Sequence, residues 1–279
     1  MSKDKSVIYF GGNQVSEVDV VIGTTIVRKT AYAFDRFMKN QKEIQEAYPQ
    51  SRLVLATDEL DFEGELKEFL KAHRVEGEVI IYKTEKPDYA RAALWSLTCG
   101  REAIRKYALN TDIHYLLTLD ADMTYDPLVI NILKKELEGF DVVQSGYRFR
   151  LKELKAFGFG PGCSFFKREI IEKLKYDCYE FNDGRMIIDE GLVLERDLFR
   201  LRARIRKGIF VKIEHYYTSD ESIPTEPRSL TLFERKRLHP LFRFTLITLS
   251  VKLKYDVAGW LWCLIHGPSR TKYKVKIHN

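Results

Sequence analysis

His114-Tyr-Leu-Leu-Thr-Leu-Asp120-Ala-Asp122-Met-Thr-Tyr-Asp126-Pro127 is the stretch that decides the fold. His114 to Leu119 is an apolar run of strand length, and it stops at two carboxylates. Pro127 then opens a helical pattern that runs to Leu137. A strand this apolar has both faces covered, which is the mark of a parallel sheet with helices on each side.

The same alternation extends outward in both directions. Val18–Ile22, Arg52–Ala56, Val79–Tyr82 and Val142–Ser145 read as further buried strands. Between them, Ala31–Ala47, Phe62–Ala72, Arg91–Tyr107 and Pro127–Leu137 carry helical periodicity. The order is βαβαβαβαβ, an α/β fold with a mostly parallel central sheet. Ligands on such sheets bind beyond the carboxyl ends of the strands. After Arg150 the pattern loosens. Phe157–Gly162 is a Gly-rich loop before a strand at Cys163–Phe166 and a short helix at Arg168–Leu174. Ile187 to Glu190 opens a helix expected to end near Gly208, followed by a strand over Ile209–Tyr216. This divides the chain into a catalytic domain over 1–217, a polar loop or lid over 218–229, and a basic amphipathic helical region over 230–279.

With 279 residues, 45% hydrophobic and 31% charged, the chain has ordinary globular composition and ample length for a core without staples. Net charge is +6, but unevenly spread: from Arg228 to Asn279 there are 11 basic and 2 acidic residues, so residues 1–227 are net acidic. The basic region interleaves Leu241, Phe242, Phe244 and Leu246 with Arg243, Lys252 and Lys254, and Trp260 and Trp262 follow. That pattern suits an anionic membrane surface, and equally a helical pair packed on the domain. Nothing in it resembles a nucleic-acid module, so nucleic acid is not an expected partner. The four Cys lack CxxC spacing, Val7–Phe10 is too short for a signal-peptide core, and no run of about 18 uncharged apolar residues exists. The expectation is a cytoplasmic protein, peripheral to the membrane at most.

Asp120 and Asp122 stand at i and i+2 on a strand end, where both carboxylates converge on one hard cation, Mn²⁺ or Mg²⁺, with substrate phosphates completing its shell. Asp126 can cap the next helix by itself, so capping leaves the earlier pair unexplained. His215 ends a strand and offers a neutral nitrogen to the same ion, or packs beside Tyr216 and Tyr217.

LLTLDADMTYDP resembles the DxD motif of GT-A nucleotide-sugar glycosyltransferases of family-2 type. FGFGPGCSFFKREIIEKL resembles their small-residue loop, strand and following helix. IIDEGLVLERDLFRLRARIRKG resembles their segment bearing the catalytic acid, and Val211-Lys-Ile-Glu-His215 their strand ending in His. The resemblance spans about residues 17–217. It implies a metal-dependent transfer of a sugar from a UDP- or GDP-type donor to an unidentified acceptor, with inversion. It assigns metal binding to Asp120, Asp122 and His215. Nucleotide contacts fall to Thr24, Thr25, Asp58, Arg91 and Asp120, although Gly23-Thr-Thr stands where many members carry Pro-Thr/Ser-apolar-Asn. Gly160 and Gly162 would approach the sugar or acceptor. The frame leaves both Asp189 and Glu190 as the acid; Asp189 is favoured as base and Glu190 as an acceptor contact. The physical requirement is a base on the face opposite the leaving group.

Two other readings use the same residues. Asp120-x-Asp122-x-Thr124 also resembles the haloacid-dehalogenase phosphatase motif, though that motif normally sits on a first strand and here three βα units precede it. A non-catalytic nucleotide-binding or membrane-binding module would leave the carboxylate pair, the Gly loop and the Asp-Glu segment as coincidences.

Overall fold

The computed structural model describes residues 18–83, 92–145, 161–177, 179–181, 186–188, 190–218, 222–224 and 275–277. The chain forms β1 (Val20–Thr25), α1 (Phe34–Ala47), β2 (Ser51–Thr57), α2 (Glu63–His73), β3 (Gly77–Ile81), α3 (Ala92–Leu109) and β4 (Tyr115–Leu119). It continues through β5 (Met123–Tyr125), α4 (Val129–Glu136), β6 (Val142–Ser145), β7 (Cys163–Lys167), α5 (Arg168–Ile171), β8 (Tyr179–Phe181) and β9 (Met186–Ile188). The remaining elements are α6 (Glu190–Arg200), β10 (Ile205–Ile209), β11 (Ile213–Tyr216), β12 (Ser222–Pro224) and β13 (Val275–Ile277).

Seven strands form the central sheet in the order β10-β6-β7-β4-β1-β2-β3. β7 runs antiparallel to β4 and β6; every other pairing is parallel. The architecture is therefore the mixed α/β sheet expected, with one reversed strand.

Alternation along the strands explains why both faces are covered. Val20, Ile22, Leu53 and Leu55 point into a core with Phe34, Phe37 and Ile44 of α1, Leu66 of α2 and Leu133 of α4. Val21, Val54 and Leu116 point the other way, onto Ile104 and Ala108 of α3 and Leu194 and Leu198 of α6. Phe37 is fully buried, and truncating such a side chain to Ala costs about 3–5 kcal/mol. Glycine lets α3 press on β1: a Cβ at Gly23 would stand 2.3 Å from Ile104 Cγ2, and one at Gly100 would stand 2.4 Å from Thr25 Cγ2.

Three local expectations are corrected. The helix expected to open over Ile187 to Glu190 begins only at Glu190, because Met186–Ile188 is strand β9 paired with β8, and it stops at Arg200, not near Gly208. Arg202 takes a left-handed conformation (φ 56°) and Ala203 N–H closes back on Leu198 O at 3.0 Å, which ends the helix. Ile205–Ile209 then alternates half-buried and exposed residues, a period-2 pattern, and pairs with β6. The strand expected over 209–216 is accordingly two strands in two sheets. The third correction is β5, which was not expected at all. It joins β11 and β12 in a small antiparallel sheet, with Met123 opposite His215 and Tyr125 opposite Ile213.

Of the 230–279 region, Val275–Ile277 is described: it pairs antiparallel with β8, whose other neighbour is β9. Among the described residues no helix is long and apolar enough to cross a membrane.

Candidate active site

Sheet order places the ends of β2, β1 and β4 side by side, and this edge collects most of the singled-out residues. Asp58 follows β2, Thr25 ends β1, and Asp120 follows β4. Because β7 runs the other way, its start lies beside the end of β4, so Gly162 O accepts a hydrogen bond from Asp120 N–H at 3.2 Å. Thr118 anchors the preceding residue by donating its hydroxyl to Pro161 O.

The turn bearing the two carboxylates is held from three sides. The buried Tyr125 hydroxyl accepts from Asp120 N–H at 2.8 Å and donates towards Gly162 O at 3.0 Å. Asn40 of α1, also buried, donates to Tyr125 O and accepts from Tyr125 N–H, both at 2.7 Å. Tyr216 N–H donates to Asp122 O at 2.9 Å. Asp126, as anticipated, serves its own turn, accepting from Leu128 N–H at 2.9 Å ahead of α4. The 120–122 pair is thus free of capping duty.

The side chains then meet. His215 Nε2 lies 3.5 Å from Asp122 Oδ2, and its ring stacks on Tyr217 with centroids 5.0 Å apart. The histidine therefore packs beside Tyr217, as one of its two readings has it, and at the same time faces Asp122. Arg101, only 5% exposed, reaches Asp120 Oδ1 with Nη2 at 2.6 Å and pairs through Nη1 with Glu190 at the start of α6. Burial pushes the Asp120 carboxyl above the usual carboxylate range; Arg101 pulls it down, Asp122 adds to the rise, and the net direction is upward. Glu190 Oε2 is buried and has no hydrogen-bond partner among the described residues.

This donor set suits a hard divalent cation. Fully ionised, Asp120, Asp122 and Glu190 against one guanidinium leave two negative charges, which is the charge such an ion balances. Asp122 and His215 offer one oxygen and one nitrogen donor at one place. Among the described residues no three His, Cys, Asp or Glu side chains form a ready metal cage. A cation here would take its remaining ligands from a bound diphosphate.

The other singled-out residues fall as follows. Ser96 of α3 donates to Asp58 Oδ2 at 2.9 Å, and the Tyr82 hydroxyl donates to Ser96 O at 2.9 Å. Thr25 stands half-buried against Gly100. Thr24 is fully buried, and its hydroxyl has no hydrogen-bond partner among the described residues. Asp189, Arg91 and Gly160 lie outside the described residues. Sequence reasoning missed Arg101, Asn40, Tyr125 and Ser96. Arg101 did leave a signal: it stands three and seven residues before Ile104 and Ala108, so a charge falls on the buried stripe of α3.

No family model matches the sequence, and no curated protein matches it. Three solved structures illustrate what the chain is similar to. The mannosyltransferase PcManGT from Pyrobaculum calidifontis, in complex with GDP-Man and Mn²⁺, aligns at 13% identity and TM-score 0.47, over 69% of this chain and 55% of that one. TarS (residues 1–349) from S. aureus, in complex with UDP, aligns at 12% identity and TM-score 0.44, over 68% and 57%. Glucosyl-3-phosphoglycerate synthase from Mycobacterium tuberculosis, in complex with Mn²⁺, UDP and glucosyl-3-phosphoglycerate, aligns at 14% identity and TM-score 0.45, over 93% and 87%. The aligned region spans little more than half the length of the first two.

Proposed function

We propose that this chain is a metal-dependent glycosyltransferase of GT-A type that moves a sugar from a nucleoside-diphosphate sugar to an acceptor hydroxyl or phosphate, with inversion. One observation carries the reading: Asp120, Asp122, His215 and, through Arg101, Glu190 converge at the carboxyl end of the parallel sheet.

Each residue then has a task. Asp122 and His215 hold the cation, with Asp120 beside them. Mn²⁺ or Mg²⁺, when bound, neutralises charge on the departing diphosphate. Thr25 and Asp58 receive the nucleoside at the ends of β1 and β2, hydroxyl and carboxylate being suitable partners for ribose and base edge. Thr24 supports that turn from beneath, and Arg91 pairs with the diphosphate. Gly160 and Gly162 allow backbone to approach the sugar. Asp189 takes the acceptor proton as the acceptor oxygen attacks the anomeric carbon. The bond from that carbon to the diphosphate oxygen breaks, and the nucleoside diphosphate leaves with the electron pair. Glu190 contacts the acceptor beside it. No observation favours the phosphatase reading of Asp120.

The direct test is release of nucleoside diphosphate from a panel of UDP- and GDP-sugars with Mn²⁺, in the presence of lysate-derived acceptors. Wild type is expected to release one diphosphate class and Asp122→Ala about 10²-fold less or worse. Equal release by both would end the reading.

The basic 230–279 region supports a finer proposal, an acceptor presented at an anionic membrane surface on the cytoplasmic side. Because Val275–Ile277 pairs with β8, charge neutralisation at Arg243, Lys252 and Lys254 is a better probe than truncation. Flotation with phosphatidylserine vesicles should fall in that variant; unchanged flotation would exclude the surface.

A further inference from the structure

We propose that Arg101 is a positioning residue that couples the nucleotide end of the site to the acid-bearing start of α6, an inference that rests on the glycosyltransferase reading. Asp120 and Glu190 lie 70 positions apart in the chain, on the end of β4 and the first turn of α6. One guanidinium joins them, with Nη2 on Asp120 and Nη1 on Glu190, and it is buried at 5% exposure. A planar guanidinium presents separate N–H donors in a rigid fork and so holds two carboxylates in fixed mutual orientation. An ammonium is a point charge on a flexible stem and cannot.

The backbone is built to deliver that fork. Gly100, the residue before Arg101, lets α3 sit where any Cβ would meet Thr25 Cγ2 at 2.4 Å. Arg101 therefore reaches the sheet edge from a helix that cannot retreat, while Tyr125 fixes the Asp120 main chain it meets. The linkage works in both directions. A shift of Asp120 when cation and nucleotide bind is transmitted through Arg101 to Glu190, whose second oxygen is buried and has no hydrogen-bond partner among the described residues to hold it against that shift. Neutralising Glu190 leaves Arg101 wholly to Asp120, which then offers less negative charge to the cation.

The test is a mutant cycle read by calorimetry. Mn²⁺-dependent binding of UDP and GDP is measured for wild type, Arg101→Lys, Glu190→Gln and the double variant, with melting temperatures alongside. Arg101→Lys is expected to bind tenfold more weakly or worse, and Glu190→Gln fivefold more weakly, each melting within about 4 °C of wild type. The double variant is expected to bind no more weakly than Arg101→Lys alone, because one linkage is lost once. Wild-type affinity in Arg101→Lys, or losses that simply multiply in the double variant, would overturn the inference while leaving the transferase reading intact. A drop in binding that only tracks a fall in melting temperature would also overturn it, since that is the behaviour of a structural pair. No nucleotide binding by the folded wild type would remove the transferase reading, and this inference with it.

Discussion

Asn40 and Tyr125 exchange two hydrogen bonds, side-chain amide to main chain in both directions, each 2.7 Å long. The pair fastens β5 to α1, and β5 carries the tyrosine that pins Asp120. Removing the amide leaves a buried N–H and a buried carbonyl unsatisfied, at about 1–3 kcal/mol each. Asn40→Ala is expected to destabilise the fold by about 2–4 kcal/mol in urea unfolding. Asn40→Asp sets an acceptor oxygen against the Tyr125 carbonyl and a charge in a buried site, so at pH 7 it should destabilise at least as much as Asn40→Ala.

Tyr125→Phe isolates the next link. The ring stays, but the hydroxyl that accepts from Asp120 N–H and donates to Gly162 O is lost. Stability should fall by about 1–2 kcal/mol, and Mn²⁺-dependent nucleotide affinity should fall with it. Unchanged affinity in a folded variant would show that the hydroxyl does not set the Asp120 turn.

Two glycine substitutions make a matched pair. Gly100→Ala places a methyl 2.4 Å from Thr25 Cγ2 and 2.9 Å from Tyr82 Oη, so α3 must move; a loss of about 1–3 kcal/mol is expected. Gly64 of α2 has nothing among the described residues within 4 Å of its added Cβ, and Gly64→Ala should raise stability by up to about 1 kcal/mol. Thermal unfolding of both reads the contrast directly.

Far from the site, Asp19 sets part of the acid sensitivity. Burial pushes its carboxyl up, but hydrogen bonds from Lys134 and Tyr48 and the Lys134 charge outweigh this, so it titrates below the usual range. A depressed folded value contributes stability above the unfolded pKa of about 4 and loses it as pH falls through the folded value. Asp19→Asn should therefore lower stability at pH 7 and flatten its decline below about pH 4. A parallel decline in wild type and variant would refute the assignment.

What was legible followed from chemistry that repeats locally. Strand–helix alternation is written in residue periodicity, so the five parallel strands through Ser145 and their helices emerged without structure. The carboxylate pair could be found because Asp120 and Asp122 interrupt an apolar run abruptly. β5 was not legible: three residues are too few to show a period, and Met123–Tyr125 becomes a strand only because β11 pairs with it. The end of α6 was missed because Leu201 to Gly208 keeps helix-compatible residues, while the left-handed turn at Arg202 is set by return to the sheet. Arg101 escaped notice because its partners lie 19 and 89 positions away, a proximity that only sheet order creates. The need for glycine at Gly23 is likewise set across the fold, by the close approach of Ile104.

The central claim is that Asp122, beside His215, anchors a cation that in turn anchors a nucleoside diphosphate. Calorimetric titration of UDP and GDP into wild type and Asp122→Ala, each with and without Mn²⁺, tests it most directly. One nucleotide is expected to bind wild type only when Mn²⁺ is present, and Asp122→Ala is expected to lose this binding while remaining folded. Metal-independent binding, or equal binding by wild type and variant, would contradict it.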